Sequence, residues 1–139
     1  MNSINKGGFI DIFMFGQNKK RVLIVEDDEM LLSLLLKQFK SEKFKVEGVA
    51  NGLEAMGAVA SFKPDLVLLD LVLPGLDGFA ILKELKASSD VSKIPVIVLS
   101  NLDDEADVKS TIALGAKKHI LKVEASLEEI VKIVKNALD

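Results

Sequence analysis

Residues 22–27 read Val-Leu-Ile-Val-Glu-Asp, a hydrophobic run that ends directly on two carboxylates. Short unbroken runs of branched side chains are typical of strands buried on both faces of a parallel sheet. Three further runs also end on a polar group: 66–69 before Asp70, 96–99 before Ser100 and 119–121 before Lys122. Because the carboxyl ends of parallel strands meet at one edge of a sheet, we expect these polar groups to converge there.

The pattern after residue 20 alternates short branched runs with longer segments of helical periodicity, as in repeated strand–helix units. We predict strands near 21–26, 45–49, 65–70, 94–99 and 117–121. We predict helices near 28–41, 52–61, 77–87, 104–114 and 126–138. Asp103 and Ser126 are the expected N-caps of the last two helices, and Gly115 is an expected C-cap. Residues 19–139 are therefore predicted to form one three-layer α/β domain.

The composition restricts the classes of function. The chain has 139 residues, of which 49% are hydrophobic, and this is enough for one folded domain with a sizeable core. A net charge of −3 and a single arginine, Arg21, argue against nucleic-acid binding. Cysteine is absent, so disulfides and thiolate metal sites are excluded. We expect a cytoplasmic protein.

Residues 1–18 precede the first predicted strand and include an apolar stretch at 9–15 with three of the seven phenylalanines. A membrane span needs about 20 apolar residues, and Asp11 interrupts this shorter stretch. We predict an N-terminal extension outside the domain and no membrane association. Two interpretations stay open: a frayed segment, or an aromatic cluster that docks on a partner or on a second copy of the chain.

The predicted acidic edge points to metal and phosphate chemistry. Glu26, Asp27 and Asp70 would repel one another at close range unless a cation lies among them. Mg²⁺ suits such a site because it prefers oxygen ligands and keeps positions for water or phosphate. Asp70 would then act as a nucleophile on phosphorus, with Lys122 and Ser100 binding the phosphoryl oxygens. Singly, each residue also fits a cap, a turn or a solvated charge, but four such strand ends together favour the chemical interpretation.

Five segments resemble the receiver domain of bacterial two-component response regulators. They are VLIVEDDE at 22–29, DLVLLDLVLPGLDG at 65–78, IPVIVLS at 94–100, ALGA at 113–116 and ILK at 120–122. The resemblance covers residues 19–139 and implies a flavodoxin-like (βα)5 sandwich with the parallel strand order 2-1-3-4-5. Because the chain ends at Asp139, directly after the fifth predicted helix, we expect a stand-alone receiver, similar to chemotaxis regulators, that signals by protein contact.

The resemblance implies a role for each polar group at the sheet edge. Asp70 matches the phosphoacceptor, Ser100 the switch hydroxyl and Lys122 the lysine of the family. The implied ligands of Mg²⁺ are Glu26, Asp27, Asp70 and the backbone carbonyl of Val72. The implied partners are a sensor histidine kinase or a histidine phosphotransfer protein, an unidentified downstream protein and, as a further option, a second copy of the chain.

Three positions depart from the family pattern. His119 stands where Tyr or Phe is usual, Val123 where proline is usual, and Asn101 where a small residue is commoner. We expect the imidazole to pack in place of the aromatic ring and to accommodate a hydrogen bond. The alternative is an altered or pH-sensitive switch. These departures concern the output of the domain rather than phosphoacceptance.

Two other classes of function are weighed against a phosphoacceptor. An aspartyl-phosphate hydrolase usually carries a second aspartate two residues after the nucleophile, where this chain has Val72. Val72 and Leu102 would flank the phosphoryl group without offering a polar group to orient water, so we expect slow hydrolysis. The second alternative, a phosphate-independent docking module, is disfavoured by the complete set of site residues. We therefore predict a signalling domain and not an enzyme.

Overall fold

A computed structural model describes residues 19–102 and 105–139 of the chain. The strands are β1 (Arg21–Val25), β2 (Lys45–Val49), β3 (Leu66–Leu69), β4 (Val96–Ser100) and β5 (Lys118–Leu121). The helices are α1 (Glu29–Ser41), α2 (Gly52–Phe62), α3 (Gly78–Ala87), α4 (Glu105–Ala113) and α5 (Leu127–Leu138), with a 3-10 turn at Lys122–Glu124. The predicted alternation of strands and helices is confirmed. Across the described ranges, no helix combines the length and the apolar character that a membrane span requires.

The five strands form one parallel sheet in the order β2-β1-β3-β4-β5. This is the flavodoxin-like order expected from the sequence. In the register of the sheet, Val25 lies opposite Leu69, Leu69 lies opposite Val98, and Ser100 lies opposite Leu121. The residues that follow β1, β3, β4 and β5 consequently emerge at the same edge.

Helices cover both faces of the sheet, which explains why the strands read as unbroken hydrophobic runs. Leu23 and Val25 of β1 belong to a core cluster with α2 and α3, whereas Val22 and Ile24 belong to a second cluster with α1 and α5. In the second cluster, Phe39 packs edge-on against Phe44 with ring centroids 5.2 Å apart. The two cores bury β1 and β3 from both faces of the sheet.

Local hydrogen bonds fix several helix ends. The side chain of Asp28 accepts the backbone N–H of Leu31 and caps α1. Ser126 and Glu129 form a reciprocal capping box at α5, which confirms the predicted N-cap. Gly115 has a φ of +109° and its N–H donates to Ile112, so the predicted C-cap of α4 is also confirmed. The predictions for residues 1–18 and for Asp103 lie outside the described residues.

Candidate functional site

Three carboxylates lie together at the carboxyl edge of the sheet. Glu26 and Asp27 follow β1, Asp70 follows β3, and one oxygen from each lies within 4.8 Å of the others. Glu26 and Asp70 are only 1% and 4% exposed, whereas Asp27 faces solvent. The cluster exists because β1 and β3 are neighbours in the sheet. The predicted convergence of these three acids is confirmed.

The ammonium group of Lys122 completes the cluster. Its Nζ lies 2.8 Å from Glu26 Oε1 and donates a 3.0 Å hydrogen bond to Asp70 Oδ2. The other oxygen of Asp70, Oδ1, accepts the backbone N–H of Leu71 at 2.7 Å. Because Lys122 follows β5, its side chain reaches past the end of β4 to meet the acids. Each of the two carboxylate oxygens of Asp70 thereby accepts one hydrogen bond.

Burial and charge act together on the titration of this cluster. Burial raises the pKa of the Glu26 carboxyl above its ordinary value, and the negative charge of Asp70 adds to that effect. The pKa of Lys122 is lowered by burial, but its contacts with Glu26 and Asp70 outweigh this and raise the pKa overall. Lys122 is therefore charged at neutral pH. Among the described residues of the cluster, one ammonium faces three carboxylates, so negative groups outnumber positive ones by two.

The donor set fits a hard divalent cation. Carboxylate oxygens are the ligands that Mg²⁺ prefers, and a charge of +2 would balance the excess of acids. Within the described ranges, Glu26 Oε1 makes no hydrogen bond of good geometry even though the ammonium lies 2.8 Å away. A buried carboxylate oxygen without a hydrogen-bond partner is suited to binding a cation. The side chain of Val72 is 63% exposed, so solvent reaches the rim of the site beside Asp70.

Ser100 is the last residue of β4 and is fully buried. Its Oγ accepts the backbone N–H of Leu102 at 3.0 Å. Among the residues described here, the hydroxyl proton has no hydrogen-bond acceptor. β4 lies between β3 and β5, so Ser100 ends the strand between those that carry Asp70 and Lys122. The structure thus brings the serine to the predicted edge with its proton uncommitted.

The backbone of Asp70 packs tightly against the start of α3. The N–H of Gly78 donates a 2.8 Å hydrogen bond to the carbonyl of Leu71. A Cβ atom at position 78 would overlap the carbonyl oxygen of Asp70 and lie 2.6 Å from Leu71 Cα. Glycine is required here by space rather than by its φ angle. Gly78 therefore fixes the return of the chain after the central carboxylate.

His119 connects β5 to α4 and to the segment after β4. Its Nε2 lies 3.0 Å from the carbonyl oxygen of Leu102, and its Nδ1 lies 2.9 Å from Thr111 Oγ1. The interpretation that the imidazole packs here with a hydrogen bond is confirmed, whereas the pH-sensitive switch stays a prediction. Sequence reasoning missed Thr111, and the pattern of α4 contains no signal that separates it from the neighbouring Ser110.

Comparison with known proteins assigns the family. The family model described as "Response regulator receiver domain" matches residues 22–135. The chain belongs to the receiver domain family. The DNA-binding response regulator MtrA of Mycobacterium tuberculosis is 36% identical to it over 104 residues, or 75% of this chain and 44% of MtrA.

Two further similarities support the assignment of a receiver domain. Sporulation initiation phosphotransferase F of Bacillus subtilis is 35% identical over 119 residues, which cover 86% of this chain and 94% of that protein. The BeF3-activated receiver domain of Klebsiella pneumoniae RstA superposes with a TM-score of 0.79 at 28% identity, covering 86% of this chain and 98% of that one.

The family defines the coarse role of this receiver domain. It is a signalling domain of the two-component type, and receiver domains interact with histidine kinases or phosphotransfer proteins. The chain spans about half the length of the MtrA relatives that it matches. The DNA binding named for MtrA is a property of that protein.

Proposed function

We propose that this receiver domain accepts a phosphoryl group on Asp70 in a Mg²⁺-dependent reaction and signals by contact with other proteins. The observation that supports the proposal is the buried Asp70 carboxylate, 3.0 Å from the Lys122 ammonium and clustered with two further acids. Buried ion pairs are often no better for stability than well-packed apolar side chains. Three acids around one lysine therefore add little net stability to the fold, and a chemical role accounts for their presence.

The proposed nucleophile is a carboxylate oxygen of Asp70. It forms a bond to the phosphorus atom of a phosphohistidine or a small acyl phosphate while the bond from phosphorus to the donor breaks. The electron pair of the broken bond stays on the donor nitrogen or oxygen, and the product is an aspartyl phosphate. Lys122 would hold the phosphoryl oxygens by charge, and Ser100 would donate its uncommitted hydroxyl proton to one of them.

We propose that the metal is held by the carboxylates of Glu26, Asp27 and Asp70 together with the backbone carbonyl of Val72. When bound, Mg²⁺ supplies positive charge that offsets the carboxylates and the oxygens of an incoming phosphoryl group. The protein contributes the fixed positions of the acids at the ends of β1 and β3. Lys122 alone leaves the site negative, so the approach of a phosphoryl anion to the apo site would be opposed.

The apolar rim of the site favours a phosphoacceptor over a hydrolase. Val72 and Leu102 offer no polar side-chain atom to orient a water molecule, so the aspartyl phosphate would persist. We propose that its donor is a sensor histidine kinase or a histidine phosphotransfer protein, that its target is a protein, and that it acts in the cytoplasm. Replacing Val72 or Leu102 by Asn would shorten the phosphoryl half-life, by less than the roughly 10²-fold of a positioned general base.

The deciding experiment is incubation with radiolabelled acetyl phosphate, with and without Mg²⁺. We expect stoichiometric labelling of the wild type, loss of labelling in Asp70→Asn and retention in Asp90→Asn, an exposed acid on the loop before β4. Chelation of the metal should also abolish labelling. Steady release of phosphate beyond one equivalent would indicate a hydrolase, and a wild type that never labels would indicate a docking module.

A further inference from the structure

A continuous chain of hydrogen bonds runs from the end of β4 to α4. The N–H of Leu102 donates to Ser100 Oγ at 3.0 Å, and the carbonyl of Leu102 lies 3.0 Å from His119 Nε2. The opposite ring nitrogen, Nδ1, lies 2.9 Å from Thr111 Oγ1. Leu102 is therefore held on both sides of its Cα atom, by the serine on one side and by the imidazole on the other. The proposed chemistry above makes no use of His119 or Thr111.

The orientation of the His119 ring follows from donor and acceptor chemistry. A carbonyl oxygen only accepts, so Nε2 must carry the hydrogen that points to Leu102. Thr111 Oγ1 has one proton and lies 2.9 Å both from Nδ1 and from the carbonyl of Val108. If the proton points to Nδ1, the threonine donates to a neutral ring; if it points to Val108, the Nδ1–H of a doubly protonated ring donates to the threonine. Both arrangements keep Nε2–H on the Leu102 carbonyl.

The two ends of this chain of hydrogen bonds lie in the protein interior. Ser100 and Thr111 are fully buried, while Leu102 and His119 are half-buried between them. A phenylalanine at position 119 would supply a flat ring but no donor for the Leu102 carbonyl. The hydrogen bond, rather than the ring, is thus the feature that the imidazole adds.

We propose that His119 is a positioning residue, which acts through Leu102 to fix the Ser100 hydroxyl for a phosphoryl oxygen on Asp70. The N–H of Leu102 occupies one lone pair of Ser100 Oγ, which leaves the single hydroxyl proton free for the phosphoryl group. This inference rests on the proposed phosphoacceptor function.

The test measures the affinity for beryllofluoride, a mimic of a bound phosphoryl group, by calorimetry in the presence of Mg²⁺. We expect His119→Phe to bind about two- to tenfold more weakly than the wild type, the usual range for one hydrogen bond. His119→Gln retains an N–H donor and should restore affinity to within about twofold. Thr111→Val leaves Nε2 in place but frees the ring, so its affinity should lie between these two.

Two readouts separate positioning from a merely structural role. Urea unfolding without beryllofluoride reports stability, which any loss of packing would lower, whereas the rescue of affinity by glutamine depends on the donor. Equal affinity of His119→Phe and the wild type would overturn the inference, as would a glutamine variant that binds as weakly as the phenylalanine variant. A wild type that binds no beryllofluoride would instead overturn the phosphoacceptor function, and the inference with it.

Discussion

Two lysines of this receiver domain pair with glutamates at nearly the same distance but in opposite surroundings. Lys122 Nζ lies 2.8 Å from Glu26, and the two side chains are 15% and 2% exposed. Lys135 Nζ lies 2.6 Å from Glu42, and these side chains are 47% and 36% exposed. The shorter contact, between Lys135 and Glu42, is thus the more exposed to solvent.

We therefore expect burial, rather than distance, to decide how much each ion pair matters for stability. Water and salt screen the pair between Lys135 of α5 and Glu42, the C-cap residue of α1, so either partner can be lost at little cost. In the buried pair, each charge has given up its hydration and depends on the other. The buried pair is therefore the one whose protonation and occupancy can respond to a ligand.

The largest effect is expected for Lys122→Met, which leaves the buried carboxylates of Glu26 and Asp70 without a cation. We expect the free energy of unfolding to fall by about 3 kcal/mol at neutral pH in a metal-free buffer, as urea denaturation would show. Adding Mg²⁺ should recover part of this loss because the cation replaces the missing charge. A loss no greater than that of Lys135→Met would break the comparison.

A second, intermediate effect concerns the pH dependence that Glu26 gives to stability. Folding raises its pKa above the ordinary 4.5, so the folded state holds this proton more tightly than the unfolded chain does. The contribution of this proton to the free energy of unfolding is complete below pH 4.5, and it is lost as the pH rises through the raised pKa of the folded state.

The unfolding free energy of the wild type minus that of Glu26→Gln should therefore decrease as the pH rises from 4.5 and then level off. Its slope cannot exceed about 1.4 kcal/mol per pH unit, the value for one proton. Chemical denaturation across this range, in the presence of a chelator, measures the difference. Glu42→Gln serves as the control for removing an exposed acid. An increase with pH in the difference between the wild type and Glu26→Gln would contradict the prediction.

The smallest effect is expected for Lys135→Met, which breaks the exposed pair with Glu42. We expect a loss of less than about 1 kcal/mol, and less still in 1 M salt, because solvent and ions already screen this contact. Urea denaturation at low and high salt measures both values. A loss as large as that of Lys122→Met would show that distance matters more than burial.

Much of the fold and of the acidic cluster could be predicted because both follow from local patterns. Hydrophobic runs that end on Glu26, Asp70 and Lys122 specify where each strand stops, and parallel pairing then brings these ends together. The start of β4 is a small exception, since the strand begins at Val96 rather than near 94. The carbonyl of Pro95 still accepts Val67 N–H, but proline has no N–H to give to a neighbouring strand.

The contacts that the sequence did not reveal are those between side chains and the backbone of distant segments. The chain of hydrogen bonds from Ser100 through Leu102 and His119 to Thr111 depends on how α4 packs on β5. The hydrophobic periodicity of the sequence does not specify that packing. Local reasoning identified His119 only as a departure from the family pattern. Its two hydrogen-bond partners emerge only when the tertiary structure places them on either side of the ring.

The close packing of Gly78 has a practical consequence for anyone who wishes to redesign this domain. Any larger residue there would force the main chain of Asp70 to shift relative to Glu26, Asp27 and Lys122. In a saturation library at position 78, substitutions that reduce folding should therefore also reduce phosphoryl labelling. Residue 78 itself performs no chemistry. Efforts to change which phosphodonor the domain prefers should begin at the exposed Val72, where the side chain can vary without displacing Asp70.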